Sequence, residues 1–552
     1  MDHTKYRAVY FSLNGRTWPD TRLTSAPRWC SVDLRDGNQA LTAPMSLSQK
    51  LFFFKFLTGL GFKEIETSFP AASETEYKFT RTLIDNGLIP SDVAIQVLTQ
   101  ARDHIIDKTF TAVRGVKKCT IHLYNSTSPA QRRAVFGMDK KDVILLAVRG
   151  ARRVMEQAVR YGRERFNFEY SPESFSATEP GFALEIISAV LDIWRPDATH
   201  KTIINLPSTV ETAPPNVFAD QVEYICKNIP YRDAVVVSLH THNDRGCAVA
   251  AAELGLMAGA ERVEGTLFGN GERTGNADIV SLALNLYARG VDPGLDFSDI
   301  ENVIEIYESS TLMPVHARHP YAGELAFTAF SGSHQDAINK CLAAKGDNPV
   351  WDIPYLPIDP ADVGRDLNGV IRINAQSGKS GVAYILERDY KLTIPKAMRR
   401  HFAEIVTRHT DGAHREFMPE ELYALFEQAY INVSAPLNLI KFSENTNGDC
   451  YVTADVALDG SLKIIEGRGN GLLSAFCRAL ENDLGFAFEI TNYSEHSLEY
   501  GSRSRAITYV QIAGRDGAEY FGAGVSESVS RSSVRAVVSA VNRMVAPADI
   551  YI

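Results

Sequence analysis

Eight times in succession, a short apolar or β-branched run is followed by a segment with helical spacing of its apolar residues. The strand-like runs fall at residues 29–35, 62–69, 93–100, 117–125, 165–171, 202–209, 234–242 and 262–268. The helical patterns fall at 48–60, 74–86, 102–109, 139–161, 179–193, 216–228, 247–258 and 276–288. A period of two and a period of 3.6 alternate, as strands and helices require. Parallel strands need a crossover between them, and a helix usually supplies it. An open doubly wound sheet also hosts alternating units, but eight in about 260 residues with no large insertion predict closure. The expected fold is α/β: a (β/α)8 barrel over 29–296, behind a polar, turn-rich extension at 1–28.

The rhythm then changes. Residues 297–430 read as helical segments broken by loops, with a Pro-rich stretch from Trp351 to Pro360, and form a connecting region. From 431 to 552 short alternating strands predominate. Two similar units follow one another there, one through Gly467, Gly469 and Gly471 into a helix at 472–482, the other through Gly522 and Gly524 into a helix at 532–543. Strands, a glycine turn and a helix, repeated, predict a pseudo-symmetric α+β module suited to ligand sensing or dimerisation.

A barrel strand sends one parity to the helices and the other to the interior. In the fourth run Cys119, Ile121 and Leu123 oppose Thr120, His122 and Tyr124. In the fifth the polar parity is Asn167, Glu169 and Ser171; in the sixth it holds Asn205 and Thr209. In the seventh Val235, Val237 and Leu239 oppose Ser238, His240 and His242. The polar parity is expected inside, enriched toward the strands' C-terminal ends, where barrel enzymes keep their chemistry.

His240 and His242 share a strand face and make half a metal site. Asp36, at the expected end of the first strand, adds a hard oxygen beside the forked donors of Arg35. After the eighth strand, Gly271, Gly275 and their neighbours let backbone approach a ligand, and Asn276 offers an amide oxygen. One carboxylate, two imidazoles and an amide oxygen suit Mg²⁺, Mn²⁺ or Zn²⁺ and leave positions open for a chelating 2-oxo acid. With no thiolate in the set, a closed structural zinc site is not expected.

A net charge of −10 and a pI near 5.8 count against a nucleic-acid or anionic-membrane partner. Seven scattered cysteines without a CxxC fit reduced thiols in the cytoplasm. The start of the chain lacks an apolar signal segment, and no run approaches the length of a membrane span.

Longer motifs carry a family resemblance. Leu34-Arg35-Asp36-Gly37-Asn38-Gln39 with Lys50, and His240-Thr241-His242-Asn243-Asp244-Arg245-Gly246, resemble the two signatures of the α-isopropylmalate synthase and homocitrate synthase family. Tyr170-Ser171-Pro172-Glu173, Asn205 to Thr209, Gly271 to Asn276, Ser331 to Asp336 and Tyr355 to Pro360 are similar to it as well, so the resemblance covers nearly the whole chain and is closest to the longer bacterial type. It implies a Claisen-type condensation of acetyl-CoA with 3-methyl-2-oxobutanoate, opening leucine biosynthesis. It implies Asp36, His240, His242 and Asn276 as metal ligands and Arg35 as the electrophile at the carbonyl. Thr209 would hold the substrate carboxylate, with Glu173, His122, Tyr124, Ser171 and Asn205 around the keto acid. His334 and Tyr355 would act on acetyl-CoA, and the loop carrying Gly271, Glu272, Arg273 and Gly275 would lie near CoA. A homodimer is implied, each connecting region completing its partner's site, with leucine as feedback inhibitor bound by the C-terminal repeats. The alternatives are a homocitrate or citramalate synthase of the same family, a metal-dependent barrel aldolase or lyase, and an inactive barrel that only binds leucine.

Overall fold

Eight parallel strands close on themselves in chain order: β1 (Arg28–Ser31), β2 (Glu64–Ser68), β3 (Ala94–Gln100), β4 (Cys119–Ser126), β5 (Phe166–Glu173), β6 (Thr202–Ser208), β7 (Val235–Thr241) and β8 (Arg262–Gly265). β1 pairs with both β2 and β8 and so seals the barrel. Between and after the strands run α1 (Leu47–Gly59), α2 (Glu74–Asp85), α3 (Asp103–Ala112), α4 (Lys140–Tyr161), α5 (Pro180–Trp194), α6 (Pro215–Asn228), α7 (Ala248–Met257) and α8 (Ile279–Tyr287). This is a computed structural model, and it describes residues 9–366, 379–413, 417–499, 501 and 504–546. The chain divides into two compact units, Met1–Ala326 with Ala361–Arg365, and Phe327–Pro360 with Asp366–Ile552.

The strand parities follow the predicted division. Ile121, Leu123, Phe168, Ile204, Leu206, Val237 and Leu239 are fully buried on the helix side, each contributing about 1.5–3 kcal/mol of burial. The interior is unusual for a barrel, where branched apolar side chains normally fill the layers. Here Glu66, Gln96, His122, Glu169, Asn205, Ser238, Arg262 and Glu264 are all buried. Arg262 ties the lower part together: Nε donates to Glu64 at 2.7 Å, Nη1 to Ser238 at 2.8 Å and Glu264 at 3.0 Å, and Nη2 to Gln96 at 2.9 Å. Burying so many polar groups is tolerable because most of them pair with one another; the exceptions are both oxygens of Glu169 and the Asn205 amide oxygen, which make no hydrogen bond.

Two boundaries differ from expectation, and both shape the site. The first strand was expected to run to Arg35, but it ends at Ser31 and the chain turns through a π-helical segment, Asp33–Gly37. Asp33 causes the departure: its carboxylate accepts from Ser31 Oγ at 2.8 Å and from the Leu267 amide at 3.0 Å, drawing the chain across the end of β8. The eighth helix begins at Ile279 rather than Asn276. Asn276 and Ala277 remain extended, with Asn276 bridged to His242, and Asp278 caps the helix through the amides of Val280 and Ser281. α9 (Ile300–Thr311) completes the described helices of this unit.

The second unit holds α10 (Gly332–Lys345), α11 (Lys379–Tyr390), α12 (Lys396–Ala413) and α13 (Pro419–Tyr430), then two three-stranded antiparallel sheets. β9 (Leu437–Asn447), β10 (Asp449–Leu458) and β11 (Ser461–Gly469) precede α14 (Leu472–Leu484). β12 (Phe488–Ser497), β13 (Ala506–Gly514) and β14 (Glu519–Ser526) precede α15 (Val529–Val545). The repeat is real, but most of its glycines lie in the last strand of each sheet, not in turns. A Cβ on Gly467 would sit 2.1 Å from the Ala475 carbonyl oxygen, and one on Gly524 would sit 1.9 Å from that of Ser532. Glycine lets each helix lie against its own sheet. Among the described residues no helix is long and apolar enough to cross a membrane.

Candidate active site

The C-terminal rim of the barrel opens into a cavity of about 700 Å³. Asp36 reaches it from the π-turn after β1, His240 from β7 and His242 just beyond that strand, while Asn276, from the loop after β8, packs against Asp36. Asp36 Oδ2 lies 3.3 Å from His240 Nε2, 3.7 Å from His242 Nε2 and 2.9 Å from the Asn276 amide nitrogen that donates to it. One ligand atom from each of Asp36, His240 and His242 falls within 4.8 Å of the others, a spacing that could hold a metal ion. All four side chains are buried.

The surroundings set the state of each group. Burial alone would raise the Asp36 carboxyl, but the Arg35 guanidinium and His240 hold it well below the usual carboxylate range. Burial lowers His240, and Asp36 with Glu264 more than offsets this, bringing it to about 9. Burial and the neighbouring His240 push His242 down to about 4. At neutral pH His242 is therefore an uncharged imidazole. Its Nδ1 lies 3.2 Å from the Gly275 carbonyl and leaves Nε2 toward Asp36. His240 Nδ1 is held at 2.8 Å by Glu264, the arrangement that orients a ligating histidine from behind.

Arg35 lines the same cavity. Its Nε donates to Glu66 and its Nη1 donates to Asp36 Oδ1 at 2.6 Å. Among the described residues Nη2 has no protein partner, which leaves one charged donor for a ligand. The keto-acid residues expected from sequence gather in the wall: His122, Tyr124, Ser171, Glu173, Asn205 and Thr209 all line the cavity. His122 Nε2 is 2.7 Å from Ser171 Oγ, and Asn205 donates to that hydroxyl at 3.1 Å. Gln100 donates to Tyr124 at 2.6 Å, Ser126 donates to Glu173, and Thr209 Oγ1 accepts from the Ser174 amide at 2.9 Å.

In the loop after β8, Glu272 and Arg273 line the cavity while Gly271 and Gly275 shape the loop itself. Gly275 has φ +100°, and a Cβ there would meet the Gly269 carbonyl oxygen at 1.9 Å; one on Gly271 would strike the Asn276 amide at 2.8 Å. Arg273 is committed to protein: it donates to Asp244 at 2.7 Å and to the Thr209 carbonyl. His334 and Tyr355 belong to the second unit, stacked with ring centroids 3.9 Å apart at 17°. Lys50, the last residue of the first motif, is fully buried, donating to Glu76 at 2.5 Å above the Phe79 ring.

A second acidic triad, Glu66, His122 and Glu264, has ligand spacing too. Its centre is taken: Gln96 Nε2 donates to Glu66 and Glu264 at 2.8 Å each and lies 3.3 Å from His122 Nδ1.

Sequence comparison relates this site to known proteins. The chain is 52% identical over 551 residues, 99% of its length and 97% of the relative's, to a 2-isopropylmalate synthase of Acetoanaerobium sticklandii. It is 50% identical, covering 98% of each chain, to a 2-isopropylmalate synthase of Clostridium acetobutylicum. The chain belongs to the 2-isopropylmalate synthase family. Within that family's architecture the HMGL-like profile matches residues 26–306, the α-isopropylmalate synthase post-catalytic domain-like profile 324–387, and the LeuA allosteric (dimerisation) domain profile 416–545. Among solved structures, a hydroxymethylglutaryl-CoA lyase of Pseudomonas aeruginosa overlaps 53% of this chain and 95% of its own, at 16% identity and a TM-score of 0.44.

Sequence reasoning missed the supporting layer: Glu66, Gln96, Glu264 and Arg262. A signal was present. Glu64-Ile65-Glu66 and Arg262-Val263-Glu264 alternate charge about one apolar residue, placing two charges on the inward parity of a buried strand.

Proposed function

We propose that this chain is an acyltransferase that condenses acetyl-CoA with 3-methyl-2-oxobutanoate to 2-isopropylmalate and CoA, the first committed step toward leucine. Near-full-length relatives of that name support the reading. The observation that carries it is the meeting of Asp36, His240 and His242 beside Nη2 of Arg35 in one cavity, with Asn276 bonded to Asp36 behind them. The donor set fits a divalent cation, Mg²⁺, Mn²⁺ or Zn²⁺. Asn276 Oδ1 is buried without a hydrogen-bond partner, an acceptor in need of a positive group. A cation held there supplies Lewis acidity to the carbonyl of a chelating 2-oxo acid.

The chain's own residues supply the rest. Thr209 holds the substrate carboxylate, and Arg35 Nη2 donates to the carbonyl oxygen as charge develops on it. A base from the His334–Tyr355 pair, supplied by the partner's connecting region, takes a proton from the acetyl methyl group, and that proton goes to the oxygen of the former keto group once the new bond has formed. The resulting carbon bonds to the keto carbon, and water then cleaves the thioester C–S bond to leave a carboxylate and the CoA thiol. Leu98, Pro207 and Tyr124 line the wall offered to the substrate's hydrocarbon end. Of the two lining arginines, Arg273 is paired with Asp244, and Arg35, held by Glu66 and Asp36, keeps only Nη2 for the keto oxygen, so neither is left over for a distal carboxylate. One methylene is worth about 1–3 kcal/mol in such a pocket. In a thiol-release assay 3-methyl-2-oxobutanoate should exceed pyruvate and 2-oxoglutarate; the reverse ranking overturns the assignment.

The LeuA allosteric (dimerisation) match supports two further parts of the reading. The chain pairs as a homodimer in which the connecting region completes the partner's site, and leucine bound by the C-terminal repeats slows the reaction. Glu272 and the glycine loop lie near CoA. Free cysteines throughout fit a cytoplasmic enzyme.

A further inference from the structure

The carboxylate of Glu66 has no task in the chemistry above, yet it touches both halves of the site. It projects from β2, wholly buried, and both oxygens are used. Oε1 accepts from Nε of Arg35. Oε2 lies 2.6 Å from His122 Nδ1 and accepts from Gln96 Nε2 at 2.8 Å. We infer that Glu66 is a positioning residue, a single carboxylate that sets the Arg35 guanidinium and the His122 ring together. The inference rests on the proposed condensation and deepens it.

At Arg35 the geometry is a two-point clamp. Glu66 takes Nε and Asp36 takes Nη1, so adjacent donors of a planar group are fixed on two separate elements. The plane can no longer swing, and Nη2 is left in a set direction at the cavity wall. At His122 the same carboxylate lies against Nδ1, which fixes the ring with Nε2 2.7 Å from the Ser171 hydroxyl and 3.5 Å from Glu169 Oε1. That hydroxyl oxygen accepts from Asn205 at 3.1 Å. Glu66 thus sets the orientation of the polar side chains His122, Ser171 and Asn205 that line the pocket.

Only a carboxylate can do both jobs. Arg35 Nε and His122 Nδ1 are donors facing the two oxygens of one group, and an amide in its place would set its own N–H₂ against one of them. The experiment is Glu66→Gln in the full-length chain, with acetyl-CoA and 3-methyl-2-oxobutanoate and bound Mn²⁺ measured beside the rates. The expected result is kcat lowered about 100-fold, KM for acetyl-CoA changed less than about twofold and Mn²⁺ per chain unchanged. The Arg35 half of the role is read from the double variant with Arg35→Lys, in which the further loss on adding Glu66→Gln should be far smaller than the loss from Glu66→Gln alone, whereas independent roles would multiply the losses in full. Should Glu66→Gln not fold, Glu66→Asp decides: it keeps the charge but withdraws it by one methylene, and kcat should fall about tenfold without loss of Mn²⁺. A folded variant within about threefold of the wild-type kcat, or multiplying losses in the double variant, overturns the role of Glu66 alone. A wild type that releases no CoA from this pair overturns the condensation and the inference with it.

Discussion

His240 and His242 stand two residues apart on one strand face, yet the fold gives them opposite charge tendencies. His240 sits between two carboxylates, and His242 turns toward a backbone carbonyl. An uncharged imidazole is the form that ligates a metal, so His242 is the more telling residue to remove. His242→Ala should lower both Mn²⁺ retention and turnover at least about 100-fold, with the thermal midpoint within a few degrees of wild type. Dialysis followed by metal analysis and a thiol assay checks both. His401 offers a test independent of the site. Its Nδ1 lies 2.6 Å from the Tyr430 hydroxyl, and burial with the charge of Arg543 lowers it to about 4. Folded His401 binds no proton between its own pKa and the unfolded value near 6.5, while the unfolded chain does. Stability from this group is therefore full above about pH 6.5 and is lost as pH falls toward 4, on the order of 1 kcal/mol by pH 5. Denaturant titrations at pH 7 and 5 should show that drop, and His401→Leu should flatten it.

At the scale of elements, much was legible. Each strand and helix of the barrel was expected within a few residues, because apolar side chains recur at two spacings that only strands and helices share. The shared placement of His240 and His242 was equally readable, since an HxH pair on a strand is local, and the structure brings both to Asp36. What could not be read is whatever barrel closure brings together. Glu66 and Glu264 lie nearly 200 residues apart in sequence, and only the closed circuit of β1 to β8 sets both against Gln96. The turn at Asp33–Gly37 escaped for the same reason, since its partner Leu267 comes from the far end of the barrel. The glycines of β11 and β14 were seen but assigned to turns, because sequence does not say how closely a helix lies on its sheet. Their role predicts a contrast. Gly524→Ala should destabilise the chain by about 1–3 kcal/mol or more through overpacking against α15. Gly471→Ala, where a Cβ meets nothing within 4 Å, should cost under about 1 kcal/mol. Urea unfolding of both variants measures the difference.

At the scale of the whole molecule, a barrel with a densely polar interior precedes a second unit built around a repeated sheet-and-helix module. The relatives match from end to end, so the arrangement of profiles along this chain is that of the family. If leucine acts through the repeats, adding it to the full-length protein should slow CoA release and raise the thermal midpoint together. A chain that shows the first without the second would place the inhibitor elsewhere.

The amide of Gln96 bears on stoichiometry. A neutral NH₂ wedged among Glu66, His122 and Glu264 occupies the volume a second ion would need, behind His240 and its partner Glu264. Titrated with manganese, each polypeptide should saturate at a single equivalent, and its paramagnetic resonance spectrum should be that of an isolated ion, free of exchange coupling. Filling the would-be neighbouring site with a side chain leaves the barrel room for one ion at Asp36, His240 and His242.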